Sequence, residues 1–523
     1  MGEKWPVLQG QSQGSGMTTS TEVQASVRTV GSTRLARLIQ ETAGAGPETL
    51  PPGDDGERRP AYRALSHGIR ALILDGRISL HARVPAERDL AAALKMSRTT
   101  VTAAYDLLRQ DGFLESRRGS GTWTTLPEGT APASLGGWML PADPATSGVA
   151  IDLSCATLGM SPEIMTEVLA EVGPELARYS TGPGYYHSGL PELRAVVAER
   201  YTARGLSTNP DQIVITNGAQ HGLVLATWLL CAPGDRVLVE NPTYPNSVEA
   251  IRRSRLRPIP VPVGEDGIDT ESLDGLLRQA VPRVAYLIPD FQNPTGSLMP
   301  EEQRATAAEA ARATGTWIVA DETITEMALD VAVPRPFAAC VSRRAADQVI
   351  TIGTMSKSHW GGLRIGWIRT TPRMAIELAG QRVAMDMAGS VIDQVIAVAL
   401  LRRQDGIVTE RLGWLRERRA ALESALIREV PEWSWRTPVG GLSLWVDLGE
   451  QSASRLAARA ANFGVRLEGG SRFGVDPGTF EQRIRIPYTL PAAMLDEAVV
   501  RLAAAFRCDA PPVFAPEENR WVA

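Results

Sequence analysis

From Tyr62 onward the chain changes character. Leu65, Ile69, Leu72 and Ile73 recur at helical spacing and stop at Asp75-Gly76, a helix-ending signal. A second helix is expected after Pro85, with Leu90, Ala91 and Leu94 facing inward. Ser97 caps a third over 98–110, with Val101, Tyr105 and Leu108 inside and Asp111-Gly112 at its end. Residues 113–123 read as two strands around a glycine turn with a basic tip. Two short helices, a tight turn, a third helix and this wing predict a winged helix-turn-helix over residues 60–125, an α+β module. Before it, residues 1–59 form a lead with one short helix at 35–39. After it, residues 126–150 hold Pro127, Pro132, Pro141 and Pro144 and read as an extended linker.

Over residues 151–508 apolar runs alternate with helix-compatible segments. Runs at 212–216, 236–240, 284–288, 317–320 and 349–352 predict strands of a mostly parallel α/β sheet, whose ligands bind at the strand ends. The last part, about 410–508, predicts a smaller α+β subdomain, with helices at 411–428 and 494–506 and a strand at 442–446. Residues 509–523 are left as a tail.

Composition adds little until it is divided. Hydrophobic residues make up 44% and charged residues 22%, as in a globular protein. The net charge of −5 combines +4 over residues 60–125 with −9 elsewhere, which suggests a polyanion-binding module on an acidic body. No apolar run approaches the roughly 20 residues of a membrane span. The polar start, through about Gln24, lacks a secretory pattern, and Met17 offers a second start. Four scattered cysteines and five histidines show no metal-ligand spacing, so no metal is expected, and reduced thiols fit a cytoplasmic protein.

The chemistry lies just after the predicted strands. Gly218, Ala219 and Gln220 form a glycine turn opening a helix, whose N–H groups can cradle a phosphate. Tyr244, Asn293 and Asp321 follow three further strands. Lys357 sits among Thr354 and Ser356, with Arg364 seven residues on. This set answers the needs of pyridoxal 5′-phosphate. Lys357 is the amine for a Schiff base, Asp321 the partner of the pyridine nitrogen, Asn293 a donor to the phenolic oxygen and Tyr244 a stacking ring. Gly218, Ala219, Thr354, Ser356 and Arg364 hold the phosphate. In the head, Ser97, Arg98, Thr99 and Thr100 open the third helix. Arg88, Arg117, Arg118 and Gly119 are placed to reach phosphate or a groove of double-stranded DNA.

Two resemblances follow from these residues. The stretches around Arg77-Ile78, Val84 to Ala91, Ser97 to Val101 and Arg118 to Thr122 resemble the winged helix-turn-helix of GntR-type transcription regulators. His81 departs from the pattern, standing where that family usually places a turn glycine. The spacings Asn293 to Asp321 (28), Asp321 to Lys357 (36) and Lys357 to Arg364 (7) resemble those of fold type I aminotransferases. The run from Arg483 to Tyr488 resembles the strand on which those enzymes carry the arginine for a substrate carboxylate, a role that falls to Arg485. Joined, the two parts resemble the MocR regulators. That resemblance implies a head-to-tail, domain-swapped homodimer that binds an operator under control of pyridoxal phosphate and an amino acid or amine. One departure stands out: no tyrosine follows Asp321 within three residues, where the family usually has one. Three functions remain open: an effector-sensing regulator, a working aminotransferase with an accessory head, and a sensor of pyridoxal phosphate controlling vitamin B6 metabolism. The missing tyrosine favours regulation over turnover.

Overall fold

The computed structural model describes residues 28–42, 60–117, 121–127, 150–264, 267–476 and 478–508. In the head, helices Ala61–Leu74, Glu87–Leu94 and Arg98–Gln110 pack around Ile69, Leu72, Ile73, Leu90, Val101 and Leu108. Ser97 caps the third helix, its Oγ accepting from Thr100 N at 3.1 Å. Strands Leu114–Arg117 and Gly121–Thr124 form the antiparallel wing. Its tip, with Arg118 and Gly119, lies outside the described residues. His81 takes φ +54, a left-handed conformation that glycine adopts at lower cost, so the departure seen in the sequence is absorbed as local backbone strain.

The head extends further than residues 60–125. Strand Arg28–Thr29 pairs with Ala82–Arg83, and helix Ser32–Thr42 buries Leu35 and Leu38 in the head core. The short helix expected at 35–39 is therefore longer and belongs to the head's packing, because its apolar stripe needs a partner.

The body is built on an eight-stranded sheet in the order Ile213–Thr216, Gly366–Arg369, Val349–Thr354, Trp317–Asp321, Val284–Leu287, Arg236–Asn241, Arg257–Gly264, Gly267–Ile268. The five strands read from the sequence run parallel. Gly366–Arg369 lies antiparallel between two of them. Arg257–Gly264 carries Pro258, Pro260 and Pro262, so its missing N–H groups all fall on one side. It is paired along its length with Arg236–Asn241 and on the other side only at Val263–Gly264, as prolines in a strand require. The smaller subdomain sets helices Gln404–Glu429 and Ala492–Arg507 against an antiparallel sheet containing Ser443–Asp447 and Arg483–Pro487. Strand Ile151–Asp152 pairs with Val465–Arg466 and carries residues 154–159 to the strand ends of the large sheet. Among the described residues no helix is long and apolar enough to cross a membrane.

The loop after Val284–Leu287 is held by a buried ion pair. Arg304 Nη2 donates to Asp290 Oδ1 at 2.7 Å, its Nε to Met299 O at 2.9 Å, and Thr325 Oγ1 also donates to Asp290. Arg304→Met leaves a buried carboxylate without its counter-ion. We expect urea unfolding to report a loss of about 3–5 kcal/mol. A loss below about 1 kcal/mol would show that Asp290 has other adequate partners.

Candidate functional site

Five parallel strands end at one level, and the residues that follow them face one cavity of about 710 Å³. Ala219, Gln220, Tyr244, Asn293, Asp321, Thr354, Ser356, Lys357, Arg364 and Arg485 all line it. Gly218 sits behind this wall at φ +83, where a side chain would collide with the Arg364 guanidinium. A larger cavity, about 890 Å³, lies between head and body and contains none of these residues.

Lys357 is carried on a single π-helical turn, Ser356–Trp360, directly after strand Val349–Thr354. Its Nζ donates to Ala156 O at 2.9 Å. Burial lowers its pKa, since the charged ammonium is the form that desolvation penalises. Arg411, from the long helix of the small subdomain, braces this turn by donating to the carbonyls of His359 at 2.6 Å and Gly159 at 2.7 Å. Asp321 is buried, which raises its pKa. Donors oppose that rise: Tyr286 Oη to its Oδ2 at 2.5 Å and Thr323 N to its Oδ1 at 3.0 Å.

At the glycine turn, Gly218 opens helix Ala219–Leu230. Arg364 reaches across to Asn217 O at 3.1 Å, and Thr354 Oγ1 and Ser356 Oγ lie 3.0 Å apart. The turn is fixed from behind by Asn217 Nδ2 on Asp386 (2.6 Å), itself held by Arg382 (2.7 Å).

Arg485 is 2% exposed. It donates to Asn293 Oδ1 at 3.3 Å and to Ser154 O, and lies over the Phe473 ring at 4.9 Å, while its Nε is buried without a partner. A buried guanidinium with donor capacity in reserve suits a carboxylate ligand. Phe473 meets Trp445 edge-on (5.6 Å), and Trp445 meets Phe480 (6.1 Å). Phe480 N donates to Leu74 O of the head at 2.6 Å, and its ring packs on Gly76. A contiguous row of aromatic side chains thus joins Arg485 to the head.

In the head, Arg98 and Thr99 are exposed at the start of the third helix, and Arg88 is exposed beside Asp89 at 3.1 Å. Ser97 and Thr100 are engaged in the helix cap, with their hydroxyls 2.7 Å apart. Arg117 pairs with Glu115 at 2.7 Å and covers Trp123.

The bacterial gntR-family regulatory protein model matches residues 61–123, and the aminotransferase class I and II model matches residues 158–502. The probable rhizopine catabolism regulatory protein MocR of Rhizobium meliloti is 33% identical over 60% of this chain and 66% of its own length. The HTH-type transcriptional regulator TauR of Rhodobacter capsulatus is 27% identical over 88% of this chain and 98% of its own. The chain belongs to the MocR subfamily of GntR-type regulators. The body of this MocR-type chain also resembles LysN, the alpha-aminoadipate aminotransferase of Thermus thermophilus, solved with N-(5′-phosphopyridoxyl)-L-leucine. That likeness has a TM-score of 0.63 and 29% identity, over 69% of this chain and 92% of LysN. The donor set fits such a group: a desolvated amine, a buried carboxylate, a glycine cradle under a guanidinium, and an aromatic ring.

Several residues of this site escape a reading of motifs. Ala156 offers only its carbonyl. Tyr286 is a polar tip inside an apolar strand. Glu240 precedes the Tyr244 segment and is buried, accepting from Ile288 N (3.1 Å) and Gln292 Nε2 (3.0 Å). Burial pushes its pKa from 4.5 up to about 8. A folded-state pKa raised in this way means that stability is full below the unfolded value and falls as pH rises towards 8. Glu240→Gln should therefore flatten the decline in unfolding free energy between about pH 5 and about pH 8, measured by urea titration. An unchanged slope would contradict a neutral Glu240.

Proposed function

We propose that this MocR-type regulator holds pyridoxal 5′-phosphate through Lys357 and senses an amino acid or amine in the same cavity. The chain is a pyridoxal-phosphate-dependent DNA-binding transcription regulator, with a GntR head on an aminotransferase-like body. When bound, the cofactor supplies an aldehyde for amines and a ring that withdraws electrons. The chain's own residues would do the rest. Lys357, whose pKa burial lowers, offers its amine. Asp321 keeps the proton on the pyridine nitrogen, and Tyr244 covers the ring. Asn293 donates to the phenolic oxygen. Gly218, Ala219, Gln220, Thr354, Ser356 and Arg364 hold the phosphate, and Arg485 takes the effector's carboxylate.

The observation that carries regulation is the aromatic row from Arg485 through Phe473 and Trp445 to Phe480 and the head. An effector that binds one arrangement of this row better than another biases the head's affinity for DNA by that difference. We assign DNA contact to Arg88, Arg98, Thr99 and Arg117, with Ser97 and Thr100 ordering the helix start. Arg118 and Gly119 would extend it at the wing tip.

We take the working form as a homodimer. Tyr185 (61% exposed) and Met387 (43%) stand on adjoining segments, tied by His187 Nδ1 to Met387 O at 2.8 Å, and Leu169 and Ile392 are exposed as well. Such a grouping suits burial against a second copy. In this proposal the head of one copy packs on the body of the other. A DNA-bound regulator of this kind would act in the cytoplasm.

Transamination is the second reading, favoured by the gathering of Lys357, Asp321, Asn293 and Arg485 in one cavity. One assay separates the two. Purified protein with pyridoxal phosphate is given amino acids singly while absorbance and keto acid are followed together. A regulator changes its spectrum and releases at most about one keto acid per site; many turnovers would establish an enzyme. Lys357→Ala should lose the borohydride-reducible cofactor adduct, and its persistence would refute the lysine assignment. Arg98→Ala should weaken operator binding by about 1–3 kcal/mol in an anisotropy titration. Unchanged affinity would remove the third helix from the interface.

A further inference from the structure

We infer that Tyr286 is the positioning residue for Asp321, holding the carboxylate ionised and in one orientation toward the cofactor's ring nitrogen. The inference rests on the proposed role of Asp321 and deepens it.

Strands Val284–Leu287 and Trp317–Asp321 are parallel neighbours, with Tyr286 beside Val319. Residues two apart on a strand share a face, so Tyr286 and Asp321 project to the same side of the sheet. Both line the cavity. The Tyr286 ring is fully buried, at 1% exposure, and Oη donates to Asp321 Oδ2 at 2.5 Å. Burial and the Asp321 carboxylate keep the phenol protonated, so it acts as a donor. Thr323 N takes Oδ1 at 3.0 Å. The Thr323 side chain adds to these donors, and Tyr286 is the largest of them in holding the charged form.

Without the phenol, the same burial that raises the Asp321 pKa would act with one opposing donor fewer. A protonated Asp321 cannot stabilise a protonated ring nitrogen. Tyr286 thus supports the site from the neighbouring strand, through Asp321.

The test uses the full-length protein and pyridoxal phosphate as the probe. Cofactor affinity and the pH titration of its visible absorption band are measured for the native chain, Tyr286→Phe, Asp321→Asn and the double variant. Tyr286→Phe keeps the ring and its packing. We expect it to weaken cofactor binding about tenfold, the scale of one hydrogen bond to a charged group, and to displace the pH titration. The double variant should bind no more weakly than Asp321→Asn alone. Affinity within about twofold of native with a superimposable titration would overturn the inference, as would additive losses in the double variant. If Asp321→Asn itself binds as the native chain does, the role of Asp321 fails, and the Tyr286 inference falls with it. Unfolding midpoints, taken in parallel, identify a purely structural loss: a displaced midpoint with an unmoved pH titration also counts against the inference.

Discussion

The guanidinium of Arg485 is the charge around which the body closes. It is removed from water, and a buried cation is costly unless its donors are used. The chain gives it the Ser154 carbonyl from one segment, the Asn293 amide from another and the Phe473 ring from a third. These three contacts draw together the segment after Ile151–Asp152, the loop held by Asp290 and Arg304, and the small subdomain. Its unpartnered Nε is the kind of reserve that an anionic ligand can use. The same arginine begins the aromatic row that ends on the head, so the proposed ligand recognition and the inter-domain contact share one side chain.

The parallel sheet explains why the other groups converge. Each strand ends in a loop at the same edge, and each loop brings one chemical type. Residues far apart in sequence, from Ala219 to Lys357, share a wall because strand order brings their loops together, and the small subdomain adds Arg485. Lys357 gains its desolvated amine from a π-helical turn braced by Arg411. The small subdomain therefore holds both the lysine's turn and the proposed effector arginine.

Much of this was legible in the sequence because it is local. Periodicity placed the three head helices to within a residue or two at most ends, and glycine and capping residues marked their limits. Apolar runs flagged the five parallel strands, and the residues after them were recognisable by chemical need. What was not legible is what depends on tertiary contact. Strand Arg257–Gly264 hides behind three prolines, which are tolerated only because of where the strand lies. Residues 28–42 show little of their place in the head core, because the partner that buries Leu35 and Leu38 lies beyond the intervening residues 43–59. Tyr286, Glu240 and Ala156 act through neighbours supplied by other strands and loops. The Phe480 contact with Leu74 joins residues about four hundred positions apart, beyond the reach of any local pattern.

The central claim is that ligand occupancy at Arg485 and DNA affinity in the head are coupled through Phe473, Trp445 and Phe480. The most direct test is the affinity for operator DNA, with pyridoxal phosphate present, of the native chain and of Trp445→Leu, each with and without the amino compound that perturbs the spectrum. Coupling through the row predicts that the effector changes native affinity by about fivefold or more, and that Trp445→Leu binds DNA and effector but loses most of that change. An effector response of native size in Trp445→Leu would contradict the account.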